Sequence, residues 1–116
     1  LGLDLTDEEL AAESKEIVLG AFVGDALVGT LNLVVVLSPN GLKMRQVAVR
    51  PEMQGKGIGR ALVEMSESIA QEAGSGFIKL NARDTAVPFY LALGYESEGE
   101  PFEEVGIPHR LMVKYL

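Results

Sequence analysis

The residues best able to do chemistry in this chain are a glycine-rich turn, a lone histidine, a tyrosine in an aromatic pair and two arginines at the ends of strand-like segments. The turn reads Gln54-Gly55-Lys56-Gly57-Ile58-Gly59-Arg60 and separates a strand-like Val47-Ala48-Val49 from an apolar pattern of helical period. Glycines there admit positive φ and let a ligand approach the backbone closely. The first turn of the helix that follows offers N–H groups with no intrahelical partner, at the positive end of the macrodipole. A phosphate or pyrophosphate is the natural occupant. The G-x-G-x-G spacing lacks both the Gly-Lys-Ser/Thr of a P-loop and the last glycine of the dinucleotide fingerprint.

His109 is the only histidine, and the chain has no cysteine. An amine that arrives as ammonium must lose a proton before it can attack a carbonyl, and imidazole, which ordinarily titrates near about pH 6.5, suits that step. A histidine that fills a strand start, or that binds an acceptor without taking its proton, is the competing reading. Arg45 and Arg83 can clamp a carboxylate or phosphonate with paired guanidiniums, or they can be neutralised by Asp84 or a glutamate. Glu103 and Glu104 are alternative bases, or a solvated pair. The phenol of Tyr90, with an ordinary pKa of about 10, can donate a hydrogen bond or simply pack. With no cysteine there is no thiolate nucleophile, and no Ser-His-Asp pattern is apparent.

Several elements must position these groups. Thr6-Asp7-Glu8-Glu9 reads as a capping box opening a short helix through Leu10, Ala11 and Ala12. Ile17 to Val23, Leu27 to Leu37 and Leu42 to Val49 read as three consecutive antiparallel strands, with turns at Gly24-Asp25 and Ser38-Pro39-Asn40-Gly41. In the third strand Leu42 and Met44 share one parity whereas Val47 and Val49 take the other. A β-bulge near Arg45-Gln46 would reconcile them and free backbone N–H groups beside the turn; alternatively Ala48 continues the even parity and no bulge exists. An amphipathic helix follows, with Ile58, Ala61, Leu62, Met65, Ile69 and Ala73 on its apolar face. Phe77 to Ala82 is then a strand parallel to Leu42 to Val49, joined to it by a βαβ crossover. Thr85 is the N-cap of a second, shorter helix that Gly94 stops, and Tyr95 to Glu104 and Pro108 to Leu116 form a final pair of strands.

Composition bounds the function. At 116 residues, with 47% hydrophobic and 23% charged residues, the chain is one small globular domain. A net charge of -7 argues against nucleic acid, no apolar run is long enough for a membrane span, and the lack of cysteine favours a cytoplasmic setting with no Cys-rich metal site. The chain opens without an initiator Met, so an earlier segment is expected to be missing.

The turn and this order of elements resemble the GNAT superfamily of N-acetyltransferases, whose acetyl-CoA signature Q/R-x-x-G-x-G/A is matched by Gln54 to Gly59. The resemblance extends to VGTL at Val28 to Leu31, to the LNARDTAVPFYLALGY run at Leu80 to Tyr95, and to PFEEVGIPHRLMVK at Pro101 to Lys114. The last two are similar to the small-molecule branch that includes glyphosate N-acetyltransferase. The family's first strand and helix are expected to be absent, leaving an exposed sheet edge that either a homodimer or a separate segment covers. The resemblance implies an α/β (α+β) fold, a mixed and mostly antiparallel sheet with a central βαβ unit that binds acetyl-CoA, and no metal. It also implies direct transfer of acetyl to the amine of a small molecule through a tetrahedral intermediate. By residue, it implies a pyrophosphate on Gln54, Gly55, Lys56, Gly57, Ile58, Gly59 and Arg60, with the pantetheine arm along Val47, Ala48, Val49, Asn81, Phe89 and Tyr90. His109 becomes the base, Tyr90 the acid to the departing thiolate, and Arg45, Arg83 and His109 the acceptor contacts. A non-catalytic acyl-CoA-binding module, or a trimmed and inactive domain, is the alternative that a turnover assay separates.

Overall fold

The computed structural model describes residues 2–9, 16–36 and 41–116. Its strands are β1 (Leu3–Glu9), β2 (Glu16–Val23), β3 (Ala26–Val36), β4 (Gly41–Val49), β5 (Phe77–Arg83), β6 (Glu96–Glu104) and β7 (Ile107–Tyr115). Among the described residues two α-helices accompany them, α1 (Ile58–Glu72) between β4 and β5 and α2 (Val87–Ala92) between β5 and β6. The strands form one mixed sheet in the order β1-β2-β3-β4-β5-β7-β6, antiparallel except where β4 runs parallel to β5.

The start of the chain differs from its sequence reading. Leu3–Glu9 is a strand paired antiparallel with β2, Thr6 opposite Gly20, so Thr6 caps no helix; residues 10–12, expected to be helical, lie outside the described residues. Leu3 and Leu5 alternate toward the core, and pairing with β2 overrides the local capping signal. β1 therefore covers the edge of β2 that was expected to be open. The expected turn at residues 38–40 also lies outside the described residues.

The core is built from alternate residues of the central strands and one stripe of α1. Leu19, Leu31, Leu33, Met44, Ile78 and Met112 from the sheet meet Ile58, Leu62, Val63 and Ala70 from the helix. The buried stripe is rotated from the expected one: it takes in Val63, Ser66 and Ala70, while Ala73 is exposed. Ser66 is accommodated because its hydroxyl donates to the Leu62 carbonyl at 2.9 Å, which satisfies it within the helix. Two glycines set close approaches. A Cβ on Gly29 would meet Ile58 Cγ2 at 3.1 Å, so its absence lets α1 lie down on β3. A Cβ on Gly41 would stand 2.5 Å from the Phe77 ring, which crosses the start of β4 where the parallel pairing begins.

That parallel pairing is short. β4 and β5 pair at Leu42 with Ile78 and at Lys43 with Lys79, and no further. Beyond those residues the two strands part, and the opening between them is the feature that the remaining elements surround.

Candidate active site

The bulge anticipated from parity is present. Thr30 faces Ala48 and Asn32 faces Arg45, so Gln46 and Val47 of β4 stand opposite the single residue Leu31 of β3. Gln46 takes a φ of 53°, unusual for a residue with a side chain. Asn32 explains how it is held, because its amide donates to Gln46 Oε1 and to Glu16 Oε1, each at 2.8 Å. The extra residue turns Val47 and Val49 toward the groove under α1 and bends β4 away from β5. Neither Asn32 nor Glu16 stood out in the sequence, since their partners lie 14 to 16 residues apart.

The glycine turn follows directly. Gly55 and Gly57 have φ of 77° and 83°, and Gly57 is the N-cap of α1 in the left-handed region. Gln54 stiffens the turn by donating its side-chain amide to the Val49 carbonyl at 3.1 Å. The N–H groups of Ile58, Gly59 and Arg60 then open a helix of 15 residues with no side-chain cap. A groove of about 440 Å³ runs past them, lined by Val47, Val49, Gln54, Gly55, Gly57, Ile58, Gly59, Arg60, Phe89 and Tyr90. Gly59 matters by contact: a Cβ there would touch Phe89 at 3.5 Å, the ring that forms the opposite wall. Lys56 does not line this groove, and Ala48 faces a separate shallow one with Leu27 and Arg50.

The opening between β4 and β5 forms a second cavity of about 450 Å³, where Arg45, Gln46 and Val47 face Asn81, Arg83, Tyr90 and His109. Val47, Ala86 and Tyr90 line both cavities, so the groove leads into the cleft at Tyr90. The expected cap at Thr85 is not formed. Asp84–Ala86 is a 3-10 turn leading into α2, whose N-cap is Ala86 with no side-chain hydrogen bond. This turn carries the chain over the end of β5 and drops Tyr90 behind the cleft. There its ring packs edge-on against Phe89 at 5.0 Å and Tyr95 at 5.7 Å. The ring is buried, and burial pushes the phenol up to about 12. Its hydroxyl has no hydrogen-bond partner among the described residues.

His109 stands opposite Arg83 across the β5/β7 pair and is 7% exposed. Its Nδ1 is 2.7 Å from the Ile107 carbonyl and its Nε2 is 3.5 Å from Glu104 Oε2. Phe102 stacks on the imidazole at 5.9 Å. Of the two glutamates singled out in the sequence, only Glu104 reaches the histidine. Arg45 and Arg83 are exposed at the cleft and have no ion-pair partner among the described residues. Asp84, the partner suggested for one of them, lies instead 3.9 Å from Arg110. Behind the cleft Lys114 joins Glu67 at 3.1 Å and donates to the Leu93 carbonyl, tying α1 to α2 and β7.

Comparison with known proteins decides what this arrangement belongs to. A family model described as "Acetyltransferase (GNAT) domain" matches residues 4–116. The chain belongs to this GNAT acetyltransferase family. Among curated relatives, two Bacillus subtilis (strain 168) proteins, one provisionally named as an acetyltransferase and the other the uncharacterized protein YyaT, are each 35% identical over 72 residues. The matched stretch covers 62% of this chain and 49% of each relative, so the chain spans about half the length of the curated proteins that it matches. A provisionally named N-acetyltransferase from Lactobacillus plantarum superposes with a TM-score of 0.82 at 26% identity, over 87% of this chain and 69% of the other. An aminoglycoside 6'-N-acetyltransferase complexed with coenzyme A shares the fold at TM-score 0.78 and 19% identity, over 87% and 73% of the two chains. PaiA N-acetyltransferase from Thermoplasma acidophilum, also in complex with coenzyme A, does so at 0.75 and 23%, over 88% and 62%. No helix among the described residues is long and apolar enough to cross a membrane.

Proposed function

We propose that this GNAT domain transfers acetyl from acetyl-CoA directly to the amine of a small molecule. The observation that carries the reading is the continuity of the two cavities at Tyr90: a glycine-lined helix N-terminus at one end and a cleft with an imidazole at the other. The residues present suit coenzyme A. The first-turn amides of α1 suit its pyrophosphate, and the apolar walls Val47, Val49 and Phe89 suit the pantetheine arm, with Asn81 able to hydrogen-bond it. Backbone amides released by the bulge at Gln46 and Val47 then lie where a thioester carbonyl would gain charge in the tetrahedral intermediate.

In this reading His109 takes the proton of the incoming amine. The Ile107 carbonyl can only accept, so it fixes the hydrogen of a neutral imidazole on Nδ1 and leaves the Nε2 lone pair for the acceptor. Tyr90 faces the departing sulfur. With its phenol near 12, complete proton transfer to a thiolate whose acid has a pKa of about 8.5 is uphill by roughly 5 kcal/mol. Tyr90 therefore acts as a hydrogen-bond donor that stabilises the thiolate without becoming ionised. Arg45 and Arg83 favour an acceptor that also carries a carboxylate or phosphonate, the kind of acceptor suggested by the likeness to glyphosate N-acetyltransferase. The outer edge of β1 is the place where a second copy would pair.

A thiol-release assay with acetyl-CoA against a panel of primary and secondary amines, read together with the mass of the product, tests the proposal. N-acetylated product from at least one amine is expected. Binding of coenzyme A without acetylation of any amine would turn the reading toward an acyl-CoA-binding module.

A further inference from the structure

Two hydrogen-bond acceptors converge beside the β4/β5 cleft. With the imidazole hydrogen placed on Nδ1 by the Ile107 carbonyl, the Nε2 lone pair of neutral His109 faces Glu104 Oε2 across 3.5 Å. A lone pair opposed to a carboxylate is repulsive, so the arrangement becomes favourable only when a proton or another cation is shared between them. Both side chains line a cavity of about 300 Å³ that Arg83, Val105 and Ile107 complete. Glu104 also lines a smaller one together with Arg45 and Asn81.

The hairpin that delivers Glu104 is itself unusual. Glu104 pairs with Ile107, leaving Val105 and Gly106 as a two-residue turn with φ of 53° and 71°. Positive φ at both positions is type I′ geometry, which favours Asn or Gly first; a β-branched valine there is an outlier. Val105 is 94% exposed, so packing in the core does not explain it. Strain of this kind gathers where a turn must present a particular group, and the group presented here is the Glu104 carboxylate against His109.

We propose that Glu104 and His109 together form the subsite for the acceptor's amine, taking it in as an ammonium ion whose N–H groups bridge Oε2 and Nε2. One nitrogen can sit at charge-assisted distances of about 2.7–2.9 Å from two atoms 3.5 Å apart. The ammonium then gives one proton to Nε2. What remains is a neutral amine with its lone pair free and an imidazolium paired with Glu104, in the geometry already present. Attack forms the C–N bond of a tetrahedral intermediate, whose collapse breaks the C–S bond; the second ammonium proton, left on the new C–N nitrogen, and the one held on Nε2 both pass to solvent, and the thiolate takes one proton up. Glu104 is a positioning residue: it orients the ammonium and supports the charged imidazole. Arg45 and Arg83 repel the same ammonium, so an acceptor enters with its amine toward Glu104 and any acid group toward the arginines. The substrate class is therefore a small zwitterion, a primary amine with an acid group a few bonds away.

This rests on the acetyltransferase reading, but its test requires no turnover. The chain has one histidine, so ¹⁵N-histidine labelling reports a single imidazole. Methylammonium chloride is titrated into the labelled protein at about pH 8.5, above the ordinary imidazole range, with tetramethylammonium chloride at equal ionic strength as a cation without N–H. Methylammonium should shift the Nε2 resonance saturably and tetramethylammonium should leave it in place. Glu104→Gln should weaken the response at least about tenfold, while Glu103→Gln should behave as wild type. An equal response to both cations in the wild-type protein, or an undiminished one in a folded Glu104→Gln variant, overturns the proposal. If methylammonium binds as expected and no amine is acetylated, the transferase reading fails alone. If amines are acetylated and methylammonium does not bind, the subsite fails alone.

Discussion

Replacing Tyr90 by Phe isolates one hydroxyl. The ring contacts with Phe89 at 5.0 Å and Tyr95 at 5.7 Å are preserved, and the hydroxyl has no partner among the described residues, so stability should change by less than about 1 kcal/mol. What is lost, in the proposed reading, is the donor to the departing sulfur. A hydrogen bond to an ionised partner contributes about 1.5–3 kcal/mol, and because this partner becomes ionised only as the C–S bond breaks, the loss falls on kcat. The expected decrease is about 10- to 150-fold, read by thiol release under saturating acetyl-CoA and amine. Affinity for coenzyme A, measured by calorimetry, should stay within about twofold of wild type. Since burial places the phenol near 12, Tyr90 stays protonated through neutral and mildly alkaline pH and should contribute no alkaline limb to the rate there. A fully active variant, or one whose loss of rate is matched by loss of coenzyme A affinity, would make Tyr90 a packing residue.

Further outcomes follow from the same geometry. Gly57→Val places a β-branched residue at φ 83° with open space around its Cβ, so coenzyme A affinity should fall by at least tenfold while the fold persists; unchanged calorimetric binding would remove the pyrophosphate from this turn. Gly41→Ala forces a Cβ to 2.5 Å from Phe77 and should cost about 1–3 kcal/mol in urea unfolding, and an unshifted midpoint would deny that contact. Tyr90 also sets an alkaline stability limit. A folded pKa raised from 10.0 to about 12 contributes stability that is present below pH 10 and is lost as pH rises through 12, about 3 kcal/mol in all. Tyr90→Phe should therefore raise the pH of alkaline unfolding, and an unmoved or lowered transition would contradict this. His109→Ala should lower kcat/KM by about 10²- to 10⁴-fold; retention of full activity would move the base elsewhere.

Much of the site was legible because its signals are local. Glycine spacing and the apolar pattern after it located the turn, and the change of parity between Met44 and Val47 located the bulge, although parity alone left a continuous strand open. The bulge's supports were not legible, because Asn32 meets Gln46 and Glu16 only after three strands have paired. Thr6 to Glu9 carries a local helix signal, yet Leu3 and Leu5 alternate as a strand requires and pairing with β2 prevails. Ser66 hides in the core because a polar residue can satisfy itself on its own helix, something hydrophobic patterning cannot register. The selection of Glu104 over Glu103 depends on strand parity and on the turn at Val105-Gly106, and neither carboxylate differs from the other in sequence.

The most direct test of the central claim, that the groove at α1 leads an acyl-CoA to the cleft between β4 and β5, is a crystal structure of the chain with coenzyme A. The expected result is the pyrophosphate on the first-turn amides of α1, the pantetheine arm along Val47 and Val49, and the sulfur within hydrogen-bond reach of the Tyr90 hydroxyl. Coenzyme A bound elsewhere, or bound at the turn with its sulfur directed away from Tyr90 and His109, would contradict it.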